Sequence, residues 1–228
     1  MIDKFNVEIK HSSKRKNPTI EIHAGGIVKV IVPSGYGKAE INTLLKKKAS
    51  WIIEKQREFQ DLPIPRRREY VTGEAFPMLG KQYRLKVEKG KIGPAKQEGD
   101  RLIVHTLNED PKEIETNLVD LYKNVAKNKL IERTNFYAKK LCLEPKQIKI
   151  TEFKSQWGSC TRDGIISYNW QIITAPISFI DYLVVHELCH LEHLNHSKEF
   201  WKLVASVLPN YKEIKKKLKV IYPLFKLD

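Results

Sequence analysis

The chain has 228 residues and carries 41 Lys and Arg against 27 Asp and Glu, a formal net charge of +14. This length suffices for one large domain or two small ones, and a composition of 41% hydrophobic and 30% charged residues argues against wholesale disorder. There is no apolar run of membrane-spanning length, no signal-peptide pattern at the N-terminus, and only three cysteines, too few for a disulfide framework. We therefore expect a cytoplasmic protein.

Residues 1–110 are predicted to form a β-rich region with one helix. Alternation of apolar and polar residues predicts strands at Phe5–Lys10, Thr19–His23, Gly26–Pro33, Tyr83–Val87 and Arg101–His105. Apolar residues at helical spacing predict a helix over Lys38–Gln60, ended by Pro63 and Pro65. Gly90–Gly99 reads as a polar loop.

Residues 111–228 are predicted to be mostly helical. A long amphipathic helix begins at Asp110 and runs to about Leu141, and a hairpin of Ile148–Lys154 and Gly164–Trp170 follows it. Three further helices are predicted at Ser178–Leu194, Ser197–Leu208 and Tyr211–Val220. The expected fold class is α+β, with the β-rich half packed on a mostly helical core that contains a small antiparallel sheet.

Basic residues cluster in two places. Between Leu44 and Arg68 there are eight Lys and Arg against three acidic residues, and a second cluster lies at Lys215–Lys219. Such an excess attracts polyanions, including nucleic acids and nucleotides. A solvated Lys-rich surface explains the same pattern, and no nucleic-acid-binding motif accompanies it, so the charge alone decides nothing.

The motif H-E-x-x-H occurs at His186, Glu187 and His190. On a helix the two histidines project from one face about a turn apart, so both imidazoles can bind one zinc ion. The glutamate is rotated off that face, where its carboxylate can take a proton from a zinc-activated water and pass it to a leaving group. A capping box of Ser178 and Asp181 is predicted at the start of this helix.

A catalytic zinc needs a third protein ligand and one open position. His196 follows Asn195, a residue that tolerates the left-handed conformation and often ends helices, so a turn there can return His196 to the metal. Glu213 and His193 are the alternatives, although His193 would lie roughly 10 Å along the helix axis from His186.

The segment from Gln156 to Trp201 contains a W-G-S-C loop, a D-Y-L-V-V-H-E-L-C-H helix and an N-H-S-K-E-F-W segment. It closely resembles the YgjP-like zinc metallopeptidases, a zincin family related to the WLM and SprT-like proteases. The front half is similar to this family only through the L-G-K-Q-Y-R-L-K-V element at Leu79–Val87. The resemblance implies a zincin-like catalytic domain at 111–228, with Glu187 as general base and three zinc ligands, His186, His190 and His196.

The resemblance also implies that a strand near the metal pairs with an extended peptide substrate. Either Ile148–Lys154 or Gly164–Trp170 can take that part. Trp157, Ser159 and Asn169 would then line the cleft, although a tryptophan here is equally explained as a core aromatic residue.

The sequence therefore predicts a zinc metallopeptidase that cleaves peptide bonds by Glu187-assisted attack of a zinc-activated water. One alternative is a nucleoside triphosphate pyrophosphohydrolase that uses the same site, which basic side chains beside the metal would favour. Another is a nucleic-acid-associated protein with a non-catalytic zinc site, which would have no use for Glu187. The expected partners are a peptide or protein substrate, a nucleotide in the first alternative, and nucleic acid bound nonspecifically by the basic surface, with no membrane association.

Overall fold

The computed structural model describes residue 5 and residues 7–60, 68–153 and 156–221, with side chains described up to residue 218. The predicted features outside these residues are the helix stop at Pro63 and Pro65, the basic Arg66 and Arg67, and Lys154 at the end of a strand. The chain forms two units, of which the first holds the described residues up to Gln60 together with Val220 and Ile221, and the second those from Arg68 to Lys219. None of the described helices is both long and apolar enough to cross a membrane.

The first unit is a three-stranded sheet with two helices. Its strands β1 (Val7–Ser12), β2 (Thr19–Ile22) and β3 (Val28–Pro33) are arranged in the order β1-β3-β2. The central strand β3 is parallel to β1 and antiparallel to β2. Helices α1 (Lys38–Lys47) and α2 (Ala49–Phe59) follow. Alternate residues of β3 point inward and form the core with apolar residues of both helices: Val28, Val30, Val32, Ile41, Leu45 and Ile52.

The single helix predicted over Lys38–Gln60 is wrong, because the backbone at Lys48 leaves the helical conformation with φ −105° and ψ 8°. The break allows Leu45 of α1 and Ile52 of α2 to be fully buried in one core. The apolar pattern in the sequence continues past Lys48, so tertiary packing, and not the local pattern, ends the helix there.

The second unit contains two further sheets. In the first of them, strands β4 (Ala75–Met78), β5 (Lys81–Lys89), β6 (Lys96–Glu98) and β7 (Arg101–Thr106) lie in the order β4-β5-β7-β6. Strand β6 falls in Gly90–Gly99, which the sequence predicts as a loop, and it exists because it pairs antiparallel with β7, Gln97 lying opposite Leu102. In the other sheet, β8 (Gln147–Thr151), β9 (Gly158–Cys160) and β10 (Ile165–Asn169) lie in the order β8-β10-β9.

The predicted hairpin of Ile148–Lys154 and Gly164–Trp170 is wrong in its orientation. Both segments form strands, but β8 and β10 are parallel neighbours, with Ile148 opposite Ile166. The antiparallel partner of β10 is β9, which lies within the segment predicted as the hairpin loop. Strand β10 is consequently central, and β8 and β9 are the edges.

Four helices complete the second unit: α3 (Pro111–Leu141), α4 (Ile177–Cys189), α5 (Lys198–Val207) and α6 (Tyr211–Ile221). Helix α3 begins as predicted, since the Asp110 side chain accepts a hydrogen bond from the Lys112 backbone N–H and Pro111 occupies the first turn. It packs against α4 and against a 3-10 helix, Trp170–Thr174, that precedes α4. The architecture is α+β, as predicted.

Strands β4–β7 belong with the helices of the second unit. Strand β7 leads directly into α3 and packs against it, so residues 68–106 fall in this unit, whereas the sequence places a boundary near residue 110. The assignment of separate domains to 1–110 and 111–228 stays a prediction.

Asp181 connects α4 to α3. Arg133 of α3 donates hydrogen bonds from Nε and Nη2 to its two carboxylate oxygens, at 2.6 and 3.0 Å. The residue at the start of α4 is Pro176, which provides no side-chain cap. The predicted capping box is therefore wrong, since the Asp181 carboxylate is engaged by the neighbouring helix.

We expect D181N to lower the free energy of unfolding by about 1–3 kcal/mol, because it leaves the mostly buried guanidinium of Arg133 without its charged partner. The control is E132Q, which breaks the more exposed Lys129–Glu132 pair on α3 and should change stability by less than about 0.5 kcal/mol. Urea unfolding followed by circular dichroism measures both. Equal effects of the two variants would contradict the connecting role of Asp181.

Candidate metal centre and active site

Helix α4 is a core helix that carries polar side chains. Nine of its 13 residues are buried, and the run Tyr182–Val185 is apolar and buried without interruption. A helix that is apolar on nearly every side is held in place by packing around its whole circumference. The side chains of His186 and Glu187, near its C-terminal end, therefore start from a rigid backbone.

Three imidazoles converge at the end of α4. One ligand nitrogen from each of His186, His190 and His196 lies within 4.8 Å of the others, and the Nε2 atoms of His186 and His196 are 3.1 Å apart. The Nδ1 atom of His190 lies 3.0 Å from the carbonyl oxygen of His193. Because a carbonyl only accepts, this Nδ1 carries the proton and the lone pair of His190 is left on Nε2. Three imidazole donors at one point fit a zinc ion.

A tight turn after α4 returns His196 to the other two histidines. The helix ends at Cys189, five residues before the predicted end, because the N–H groups of residues 190–192 bond to carbonyls three residues back. Asn195 does not adopt the expected left-handed conformation. The Ser197 hydroxyl accepts a hydrogen bond from a backbone N–H in the first turn of α5, and so caps the next helix where the sequence predicts it.

An aromatic stack supports His196, which is itself exposed. Its ring stacks on Trp201 of α5 at 5.5 Å, and Trp201 stacks on Tyr211 of α6 at 5.2 Å between ring centroids. The Lys215 ammonium lies 3.9 Å from the centre of the Trp201 ring, and the fully buried Phe200 contacts all three imidazoles of the cluster. Two helices thus restrict a ring that the turn alone would leave free to move.

The environments of two of the three histidines, His186 and His196, favour the neutral form. Burial, then the neighbouring rings of His190 and His196 and the charge of Lys215, lowers the pKa of His186 to about 3. Burial also lowers the pKa of His196, with His190 and Lys215 adding to the effect. Neutral imidazole is the form that binds a metal, so these environments suit ligands.

Glu187 lies beneath strand β9. Its side chain is only 4% exposed, and an alanine Cβ at Gly158 would lie 2.7 Å from its Oε1 atom. The β9 backbone therefore passes so close to the carboxyl group that any larger residue at position 158 would have to displace the Glu187 side chain. Burial raises the pKa of Glu187 to about 8, so this group can hold and release a proton near neutral pH. The sequence alone does not predict the contact of Gly158 with Glu187, although the W-G-S-C loop contains this glycine.

Asn169, expected to line a substrate cleft, is buried and engaged by the backbone. It is 1% exposed, its amide donates to the carbonyl oxygens of Phe153 and Gln156, and its Oδ1 accepts from the N–H of Gln171. Its own N–H donates to the Trp157 carbonyl at 2.7 Å. Asn169 therefore holds the chain that leads into β9.

The other two residues expected to line the cleft differ in exposure. Trp157 is buried, with 7% of its surface accessible. Ser159 is half-buried in the middle of β9, opposite Ser167 of β10. Of the three, Ser159 is the least buried, and it follows Gly158 in β9.

The alternative third ligands lie outside the histidine cluster. Glu213 is exposed on α6, and His193 contributes its carbonyl oxygen to His190. Within the described ranges, the three histidines are the only set of three or more His, Cys, Asp or Glu placed to share a metal. Burial raises the pKa of the Cys160 thiol to about 11 and that of Cys189 to about 12, so both are protonated at neutral pH.

A buried H-E-x-x-H helix, with a third histidine returned by a turn and a carboxyl group under a strand, is the arrangement of a metallopeptidase-type hydrolase. The family model described as "YgjP-like, metallopeptidase domain" matches residues 16–220, and the chain belongs to this family. The match confirms the resemblance seen in the sequence, and the family implies a catalytic metal and a peptide substrate. The relationship to WLM and SprT-like proteases stays a prediction.

Two solved metallopeptidase zymogens are similar to part of the chain. Pyrococcus abyssi abylysin is 22% identical over 39% of this chain and 90% of its own, with a TM-score of 0.37. Methanocaldococcus jannaschii jannalysin is 22% identical over 42% of this chain and 96% of its own, also with a TM-score of 0.37. No curated protein matches the chain. The family assignment therefore rests on the family model.

We expect N169A to lower the free energy of unfolding by about 1–3 kcal/mol, because this buried side chain would no longer donate to the carbonyl oxygens of Phe153 and Gln156 or accept a hydrogen bond from the buried N–H of Gln171. N169D keeps the acceptor for Gln171 but lacks both donors, and should be destabilised as well. S159A, in the same sheet, is the control and should change stability by less than about 0.5 kcal/mol. Thermal and urea unfolding would show the difference, and a fully stable N169A would argue against a structural role.

Proposed function

We propose that this protein is a zinc-dependent peptidase in which His186, His190 and His196 hold the metal and Glu187 acts as general base. The proposal rests on one observation, the convergence of three imidazoles at the end of the helix that carries a buried glutamate. A zinc ion in this donor set supplies Lewis acidity and lowers the pKa of water toward ~7. The remaining steps belong to the side chains and backbone of the chain itself.

Glu187 moves the proton. Its carboxylate takes a proton from the attacking water and delivers it to the amine that leaves when the peptide bond breaks. Its buried position supports this role, because burial raises the pKa of the group and so allows it to keep the proton between the two transfers. The Gly158 backbone beside Oε1 limits the directions in which the carboxyl group can turn.

The free edge of β9 is the place where a peptide substrate would bind. Among the described residues β9 pairs with β10 alone, and its first residue, Gly158, lies next to Glu187. Strand β10, one of the two segments suggested by the sequence, already has a neighbour on each side, and β8 is the opposite edge of the sheet. An extended peptide added to β9 would run past the general base, with Ser159 in contact with it.

A nucleotide substrate has less support. That alternative predicts several basic side chains beside the metal, to bind phosphates. Of the described cations, Lys215 is the one whose charge acts on both His186 and His196, and it lies over the Trp201 ring. One lysine in this position does not outweigh a strand edge suited to a peptide.

We expect E187Q to cleave casein about 10²–10⁴-fold more slowly than the wild type, because the amide cannot accept the proton. The variant should still bind one zinc ion, whereas H196A should bind it more weakly, so zinc content by mass spectrometry separates the two effects.

Equal rates for zinc-loaded wild type and E187Q would remove Glu187 from the mechanism. A panel of nucleoside triphosphates tested for pyrophosphate release completes the experiment. Release by the wild type that is lost in E187Q, without cleavage of casein, would favour the pyrophosphohydrolase.

We expect G158A to lower kcat by about tenfold or more, because the added Cβ displaces the Glu187 carboxyl group from its position. Zinc content should stay unchanged, since the three atoms nearest to the added Cβ all belong to Glu187. The control is G35A, where an added Cβ meets no atom within 4 Å. An unchanged kcat in G158A, with the fold intact by circular dichroism, would contradict the positioning of Glu187 by β9.

A further inference from the structure

The first unit carries a shallow groove of its own, of about 190 Å³. We call it the Trp51 groove, and its lining residues are Pro18, Ile20, Leu44, Lys48 and Trp51. Trp51 is 40% exposed although it is one of the largest apolar side chains in the protein. An exposed indole in an apolar depression is a common feature of binding surfaces.

Basic residues cluster in two of the segments that line this groove. The β1–β2 loop bears three consecutive exposed cations and continues into the groove at Pro18, and α1 ends in three exposed lysines, the last of which lines the groove: Lys14, Arg15, Lys16, Lys46, Lys47 and Lys48. Only one of the six, Arg15, lies within ion-pairing distance of a described acidic side chain, that of Glu21 at 3.9 Å.

The whole of the described first unit is positively charged. Residues 7–60 contain 11 Lys and Arg against five Glu and no Asp. Lys55, one helical turn beyond Trp51 on α2, is neutralised by Glu58 at 2.6 Å. The β1–β2 loop and the end of α1, the two segments that reach the groove, together bear six of these 11 cations and no acidic residue.

An exposed aromatic ring in a groove lined by two basic segments matches the chemistry of a single-stranded nucleic acid. Bases stack on exposed aromatic rings without regard to sequence, and lysines on either side follow the phosphates. An acidic peptide would use the lysines but has no group that requires the indole face. The Trp51 groove shares no residue with the metal centre, and binding there requires no peptidase activity.

We propose that the Trp51 groove binds single-stranded nucleic acid, with a base stacked on Trp51 and the phosphates bound by the lysines of the β1–β2 loop and the end of α1. Binding is independent of base sequence, since no side chain of the groove offers a pattern of donors and acceptors to a base edge. It is also sensitive to salt, because the lysines displace counterions from the strand.

The test is fluorescence anisotropy of the full chain with a labelled oligothymidylate of about 15 nucleotides. W51A should weaken binding about tenfold, while W51F keeps a stacking ring and most of the affinity. The matched control is I53A, which removes another exposed apolar side chain of α2 and should bind as the wild type does. Because W51F retains an aromatic ring, affinity that is kept in W51F and lost in W51A reflects stacking and not misfolding. Circular dichroism verifies the fold of each variant.

Salt dependence tests the lysines separately. Between about 50 and 200 mM NaCl the affinity should fall steeply, and K47Q/K48Q should reduce the slope of log K against log salt by about 1.4. Three results would overturn the proposal: no binding at low salt, equal binding by W51A and the wild type, or tighter binding of a poly-glutamate peptide that displaces the oligonucleotide. The last would assign the groove to acidic proteins instead.

Discussion

The burial of α4 is the constraint on which the rest of the site depends. Glu187 is almost inaccessible to water, and its raised pKa reflects how poorly this environment solvates a carboxylate. His186, on the same helix, is kept neutral by the same burial. Because a helix packed on nearly all sides cannot shift without opening cavities, the core of the second unit fixes the distance between the metal ligands and the carboxyl group.

Strand β9 passes over this helix, and Asn169, which the sequence places at the substrate, instead forms hydrogen bonds that hold the backbone leading into β9. The Asn169 side chain donates to the carbonyl oxygens of Phe153 and Gln156 and accepts from the N–H of Gln171 in the 3-10 helix. Its backbone N–H donates to the carbonyl oxygen of Trp157. The next residue, Gly158, then lies against Glu187. A buried polar network of this kind sets the position of β9, so Asn169 influences the site without facing it.

Features encoded within a short stretch of chain could be predicted from the sequence, and those that depend on distant partners could not. Helix α3, with its cap at Asp110, and the start of α5 at Ser197 follow from local patterns. The H-E-x-x-H spacing likewise predicted the histidine cluster. The parallel pairing of β8 with β10 is a contact between separate segments, and β9, with three residues, is too short to show alternation. The break between α1 and α2 at Lys48 likewise depends on tertiary packing, because Leu45 and Ile52 are buried in one core.

The third histidine shows how an exposed loop can serve a site that needs precision. His196 lies outside any helix. Fixing its ring in one orientation therefore costs conformational entropy, which contacts of the ring must offset. The His196 ring stacks on Trp201 of α5, and Trp201 stacks on Tyr211 of α6. These contacts with two helices restrict the movement of the His196 ring. The ligand geometry is therefore coupled to two helices that follow it in sequence, and any change that loosens α6 also loosens the site. This coupling explains how the exposed His196 can serve as the third ligand of a metal site whose other two ligands, His186 and His190, are less exposed.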